Sequence, residues 1–319
     1  MSFTIATNLD DALQALAAGA KPIAGGSDLV VGARHGKAPL PEQLVAIDRL
    51  TELQCIEQTE AGLCIGSGVN HHTIEHHQGI TSHWSALADG SALVGSPSTR
   101  NVGTLGGNVM NASPAMDTGA PLIVFGAEAE LRSARGTRRV PIASLWTGPG
   151  RTSAAPDELC VAIHLPTLPA HSGSAYLRLE YRRALEIAVV GAAACVTLDG
   201  DRIASARVAL TAVAPTIVEV TGLTGGSIDD VAAAARTLAE QQATPISDVR
   251  ASDTYRRHTV GVMAERAVRI ALLLADEPDA EYERAFVAAA LAACEDYRVR
   301  ATLPPGPGSA VRNTFQPSA

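Results

Sequence analysis

The sequence predicts an α+β chain in two parts: a mixed region of short strands and helices, then a small antiparallel sheet with helices. Three observations carry that expectation. Strand-like runs alternate with short helical stretches as far as Pro166. Two long apolar runs then flank Asp199-Gly200-Asp201, a strong hairpin signal. Beyond them, apolar residues recur at three- and four-residue spacing over 253–275.

Taken in order, Asn8 followed by DDALQALAAG reads as a capped helix. The Asx side chain accepts from first-turn amides, two carboxylates favour the positive end, and Gly19 closes it. Lys-Pro-Ile-Ala then forms a short buried segment running into Gly25-Gly26. QLVAIDR (43–49) and the pair CIEQ/GLCIGS (55–67) read as strands, and 82–94 as helix. The stretch 95–121, rich in Gly, Ser, Pro and Asn, has no clean period. AEAELRS (127–133) and RRVPI (138–142) make a hairpin, and DELCVAIHLP (157–166) a strand ended by proline. PTLPAHSGSA (166–175) is the best domain boundary, with no periodicity. After the Asp-Gly-Asp hairpin come helices at 228–241, 253–275 and near 280–296, then a Pro/Gly/Ser-rich tail. The expected division is 1–170 (subdomains 1–54 and 55–170), 171–278, and a helical extension with a mobile tail over 279–319.

Composition narrows the function classes. At 319 residues the chain buries a core without disulfide staples. The formal charge is 25 minus 33, or −8, with no polybasic block, which argues against a general nucleic-acid or anionic-membrane binder. No apolar run reaches about 18 residues, and MSFTIATNLDD lacks the basic and apolar regions of a signal peptide. The expectation is a soluble cytoplasmic protein with no membrane insertion. Cys55, Cys64, Cys160, Cys195 and Cys294 are scattered without a C-x-x-C pair, so they cannot supply an iron–sulfur or structural zinc site.

Two glycine turns suggest one ligand site. In Ala24-Gly25-Gly26-Ser27-Asp28, paired glycines let successive N–H groups turn to one side as an anion-binding nest, with the Ser27 hydroxyl beside it. In Arg100-Asn101-Val102-Gly103-Thr104-Leu105-Gly106-Gly107-Asn108, the backbone is built for close approach. Two such turns clamp one pyrophosphate from two sides, unlike the single G-x-G-x-x-G of a Rossmann unit, which this chain lacks.

These motifs resemble the medium, FAD-binding subunit of the molybdenum hydroxylases, the xanthine dehydrogenase and carbon monoxide dehydrogenase group. The matching stretches are PIAGGSDLVV (22–31), RNVGTLGGNVMNASPAMD (100–117), WTGPGRT (146–152), DELCVAIHLP, AYLRLEYRRALEIAVVGAAACV (175–196) and SDVRASDTYRRHTVGVMAERAV (247–268). The resemblance implies a vanillyl-alcohol-oxidase-type (PCMH-like) FAD-binding domain and a small C-terminal domain with a three-stranded antiparallel sheet and helices. It implies that Ala24, Gly25, Gly26, Ser27 and Asp28 form one pyrophosphate loop and Thr104, Gly106, Gly107 and Asn108 the other. Asn111 and Asp117 stand where polar contacts to FAD are expected, Leu159 where an apolar flavin contact is, and Arg178 and Glu186 near the isoalloxazine.

The resemblance further implies an electron-transfer role in a dimer of heterotrimers. A large subunit carries the molybdenum–pterin centre and a small one two [2Fe–2S] clusters, and this chain passes electrons through FAD to an external acceptor. No residue stands out as a catalytic base or nucleophile. Two other enzyme classes compete. One is a stand-alone flavoprotein oxidase or dehydrogenase of the same fold. The other is a zinc hydrolase built on His72-x-x-Glu75-His76, where a third, downstream ligand is not evident and Asn70 caps what reads as a solvated surface helix. On that ground no metal ligand is expected.

Overall fold

The computed structural model describes residues 2–36, 38–182 and 185–276. Its first layer is a three-stranded parallel sheet in the order β1-β3-β2, made by β1 (Ser2–Ile5), β2 (Lys21–Ile23) and β3 (Gln43–Ala46). Between β1 and β2 runs α1 (Leu9–Ala17), with Asn8 Oδ1 accepting from the Asp11 amide at 2.8 Å. Leu9, Ala12, Leu13 and Leu16 repeat at helical spacing and fill the core against Val45 and Ile47. β1 is absent from the sequence reading because all four of its residues are exposed, so it carries no alternation. The chain passes from β2 through α2 (Leu29–Arg34) to β3, then through a 3₁₀ turn at Thr51–Leu53. β2 itself is half-buried rather than buried.

The second layer is an antiparallel sheet in the order β4-β5-β10-β6-β7. Its first strands are β4 (Ile56–Thr59) and β5 (Gly62–Gly66). Six short helices follow: α3 (His71–His76), α4 (Gln78–His83), α5 (Ser85–Ala92), α6 (Pro97–Val102), α7 (Leu105–Asn111) and α8 (Gly119–Val124). The last three replace the irregular stretch expected over 95–121. Ser96 caps α6 with Pro97 in its first turn, and Thr104 caps α7. Helices of six or seven residues are too short to display an amphipathic period, so burial decides them. Next come β6 (Glu128–Ser133) and β7 (Gly136–Pro141), the expected hairpin, then α9 (Ile142–Leu145), β8 (Trp146–Gly148), β9 (Arg151–Thr152) and β10 (Leu159–Pro166).

β10 joins the two cores. A bulge between Cys160 and Ala162 interrupts its alternation. Leu159 before it and Val161 within it pack with the α1 cluster, whereas Cys160, Ile163 and Leu165 enter the cluster around Trp84, Leu122 and Leu131.

The third layer is an antiparallel sheet, β11-β12-β13-β14, from β11 (Ser172–Leu179), β12 (Val190–Asp199), β13 (Arg202–Thr211) and β14 (Val218–Glu219). The two-residue β14 adds a fourth strand to the three expected, too short to leave a pattern in the sequence. Gly200, at φ 56°, makes the tight turn between β12 and β13. Two helices cover the sheet, α10 (Ile228–Gln242) and α11 (Asp253–Asp276). Val260, Met263, Ala267, Ile270, Ala271 and Leu274 of α11 are buried, as their spacing requires.

The expected boundary 166–175 shortens, because Ser172 and Gly173 belong to β11. A Cβ at Gly173 would overlap the Ala271 carbonyl, so this glycine serves helix-on-sheet packing and not a turn. Arg256 on α11 is buried and donates to the carbonyls of Val189 and Ala212, both at 3.0 Å. No helix among the described residues is long and apolar enough to cross a membrane. The helix expected near 280–296 and the tail lie outside the described residues.

Candidate cofactor site

Both glycine segments sit at the ends of secondary structure and meet. The first leaves β2 at Ile23, turns at Gly26 (φ 67°) and enters α2. Among the described residues, no hydrogen-bond acceptor is paired with the amides of Gly25, Gly26 or Ser27. The second is the junction of α6 and α7. Gly103 caps α6, where its amide donates to the Thr99 carbonyl at 2.7 Å. A Cβ at Gly25 would overlap the Val102 carbonyl and lie 3.1 Å from the Gly103 nitrogen. The two loops are therefore in backbone contact, and Ser27 Oγ lies beside Gly103.

The glycines of the second segment divide by role. Gly106 is buried, its amide donates to the Ser67 carbonyl at 2.9 Å, and a Cβ there would lie 2.8 Å from that oxygen. The close approach this glycine admits is that of Ser67. Gly107 is exposed, and a Cβ there would meet only Thr104 Oγ1, at 3.0 Å. That same Oγ1 accepts from the Gly107 amide at 3.1 Å. These two amides are already satisfied, and what the segment presents is the Thr104 hydroxyl and the bare Gly107 surface. Asn108 Oδ1 accepts from the Thr118 hydroxyl at 2.6 Å, and Asn111, half-buried, ends α7.

Asp117 and Arg178 come together with residues not anticipated. Arg178 Nη1 donates to Asp117 Oδ2 at 2.8 Å, to the Leu93 carbonyl at 3.1 Å and to the Glu186 carbonyl at 3.3 Å. Its Nε bonds Glu180 Oε2 at 2.8 Å, and the Tyr176 hydroxyl donates to Asp117 Oδ1 at 2.8 Å. Only 1% of the Arg178 side chain is exposed. Burial pushes the Asp117 carboxyl up to about 6, against the pull of Arg178 and the Tyr176 hydroxyl. The Glu186 side chain instead pairs with Arg182 at 3.2 Å. Leu159 is buried in the α1 cluster, against which Ala24, the first residue of the glycine turn, also packs.

His71, the first residue of α3, is buried under the second loop. Its amide donates to the Gly103 carbonyl at 3.1 Å. Burial, with Arg100 nearby, pushes its imidazole down to about 4, so it is neutral. The signal available in the sequence is helical phase: His71 and Ile74 share the inward face of α3. Burial also raises Cys160 and Cys195, to about 12 and 11, which makes them inert thiols.

Comparison with known proteins bears on this arrangement. Residues 1–168 match the family described as "FAD binding domain in molybdopterin dehydrogenase", and 175–271 match "CO dehydrogenase flavoprotein C-terminal domain". The chain is 32% identical over 283 residues to the putative xanthine dehydrogenase FAD-binding subunit of Escherichia coli K12, covering 86% of this chain and 97% of that one. It is 33% identical over 254 residues to the carbon monoxide dehydrogenase medium chain of Afipia carboxidovorans, covering 78% and 88%. A solved copper–molybdenum CO dehydrogenase superposes with TM-score 0.82 at 30% identity, covering 86% of this chain and 98% of that one. Quinoline 2-oxidoreductase from Pseudomonas putida 86 gives 0.80 at 26%, with the same coverage. From two domain matches in order along one fold, the chain belongs to the FAD-binding flavoprotein subunits of the molybdopterin dehydrogenase family.

Proposed function

We propose that this flavoprotein relays electrons from the [2Fe–2S] clusters of a small partner subunit to an external acceptor, within a cytoplasmic dimer of heterotrimers whose large subunit holds the molybdenum–pterin centre. The observation that carries the reading is the backbone contact between Gly25 and Val102, which joins the two glycine segments into one surface. Its unpaired amides at Gly25, Gly26 and Ser27 suit the FAD diphosphate, an anion that only accepts. Bound FAD supplies the electron-transfer chemistry.

The rest of the site follows from what each side chain offers. Ala24 to Asp28 form one wall, and Thr104, Gly106, Gly107 and Asn108 the other, with the Thr104 hydroxyl as a further donor. Asn111, half-buried at the end of α7, supplies a side-chain amide next in sequence to that wall. Leu159 supports Ala24 from the core. Asp117 and Arg178, locked to each other, hold the segment after α7 against β11.

The test is stoichiometry and turnover. The purified chain is expected to hold one FAD, released intact by acid, and to lack hydroxylase activity until the partners are added. A chain that takes up no FAD overturns the reading. A chain that turns over a substrate alone replaces it with a stand-alone flavoprotein oxidase or dehydrogenase.

A further inference from the structure

We infer that His72, Glu75 and His76 form a site for a divalent transition-metal ion of the zinc type, independent of the flavin reading. Burial of His71 and Ile74 turns the opposite face of α3 to solvent. One ligand atom from each of His72, Glu75 and His76 lies within 4.8 Å of the others, the one such group among the described residues. The two imidazole centroids are 4.4 Å apart. Donors on a tetrahedral zinc ion stand about 3.3 Å from one another, so small rotations of the side chains close them on an ion.

Two of the three ligands are already oriented from behind. His76 Nδ1 lies 2.9 Å from the His72 carbonyl oxygen. A carbonyl only accepts, so Nδ1 carries the hydrogen and Nε2 keeps its lone pair. Arg100 Nε donates to Glu75 Oε2 at 2.9 Å, which fixes the carboxylate and leaves its remaining lone pairs for an ion. Outer partners of this kind are what hold metal-binding histidines and carboxylates in place. The third ligand sought on a downstream helix is Glu75 itself. Two imidazoles and one carboxylate suit zinc, and nickel or copper in the general affinity order, with water in the remaining positions. An ion there ties two turns of α3 together and, through Glu75 and Arg100, braces α6.

Titration of the full, tag-free, chelator-treated chain with zinc chloride alone tests this by calorimetry. The expected result is one zinc per chain at micromolar Kd. His72→Gln and His76→Gln should each weaken it tenfold or more, and Glu75→Gln several-fold. Zinc should also raise the melting temperature of the wild type and not of His76→Gln. No saturable binding below about 100 µM zinc, or wild-type affinity in both histidine variants, overturns the assignment. Should a variant fail to fold, the imidazole resonances of the wild type decide: zinc must shift those of His72 and His76 while His83 stays unmoved.

Discussion

The Val102 carbonyl occupies the space that a side chain at Gly25 would need. Gly25→Ala must therefore push the two loops apart, although its own position is exposed. The expected cost is about 1–3 kcal/mol of stability and at least a tenfold loss of FAD affinity. Gly32→Ala, in α2 with nothing near its Cβ, is the control and should be neutral or slightly stabilising. Equal FAD dissociation constants for wild type and Gly25→Ala, by fluorescence titration, would separate the loop contact from cofactor binding.

Gly106 and Gly107 are adjacent but should fail in opposite ways. Gly106→Ala drives a Cβ into Ser67 and is expected to lower the melting temperature. Gly107→Asp places a carboxylate in the first turn of α7, which favours the helix dipole, on the exposed surface proposed to face the diphosphate. Stability should hold or rise while bound FAD falls strongly. Flavin content measured beside the melting curve checks both, and full flavin in Gly107→Asp would contradict the two-loop site.

Arg178→Met leaves Asp117 buried without its cation, at a cost of about 3–5 kcal/mol at neutral pH. The pH dependence has a definite sign. Asp117 binds its proton more tightly folded than unfolded, with a folded value of about 6. Its contribution to stability is therefore full below the unfolded carboxyl value and is lost as pH rises through about 6. Without Arg178 the carboxyl should rise further, so the variant's deficit should shrink between pH 7.5 and pH 5. Urea melts at both values read the difference; a pH-independent deficit would mean that Asp117 is not the source.

Local patterns account for what was legible. Asn8, Gly200 and the α11 stripe announce themselves within a few residues, by capping, turn and period. That both glycine turns are places of close backbone approach was legible too, because glycine marks such places. What approaches was not: at Gly106 it is Ser67 and at Gly25 it is Val102, and a sequence does not distinguish a protein neighbour from a ligand. Asp117 and Arg178 stand 61 residues apart and Tyr176 joins them only in three dimensions, so their mutual pairing has no linear signal. Equally, α6 to α8 owe their form to caps and burial and not to a period.

The Asp117 contacts reach the C-terminal sheet through β11, which leads to the last prediction. Gly173 on that strand lies under α11, where a Cβ would overlap the Ala271 carbonyl and stand 2.8 Å from the Leu274 carbonyl carbon. Neither partner is a flexible side chain, so the helix itself must lift. Gly173→Ala should cost about 3 kcal/mol, at the upper end for overpacking, whereas Gly148→Ala, with nothing near its Cβ, should cost almost nothing. Lifting α11 loosens β11, and β11 carries both Tyr176 and Arg178. Hydrogen exchange at β11 amides should therefore accelerate in Gly173→Ala, and flavin fluorescence should change with it if the Asp117 contacts hold the cofactor segment. Faster exchange with an unaltered flavin signal would show that the buried ion pair secures the fold alone.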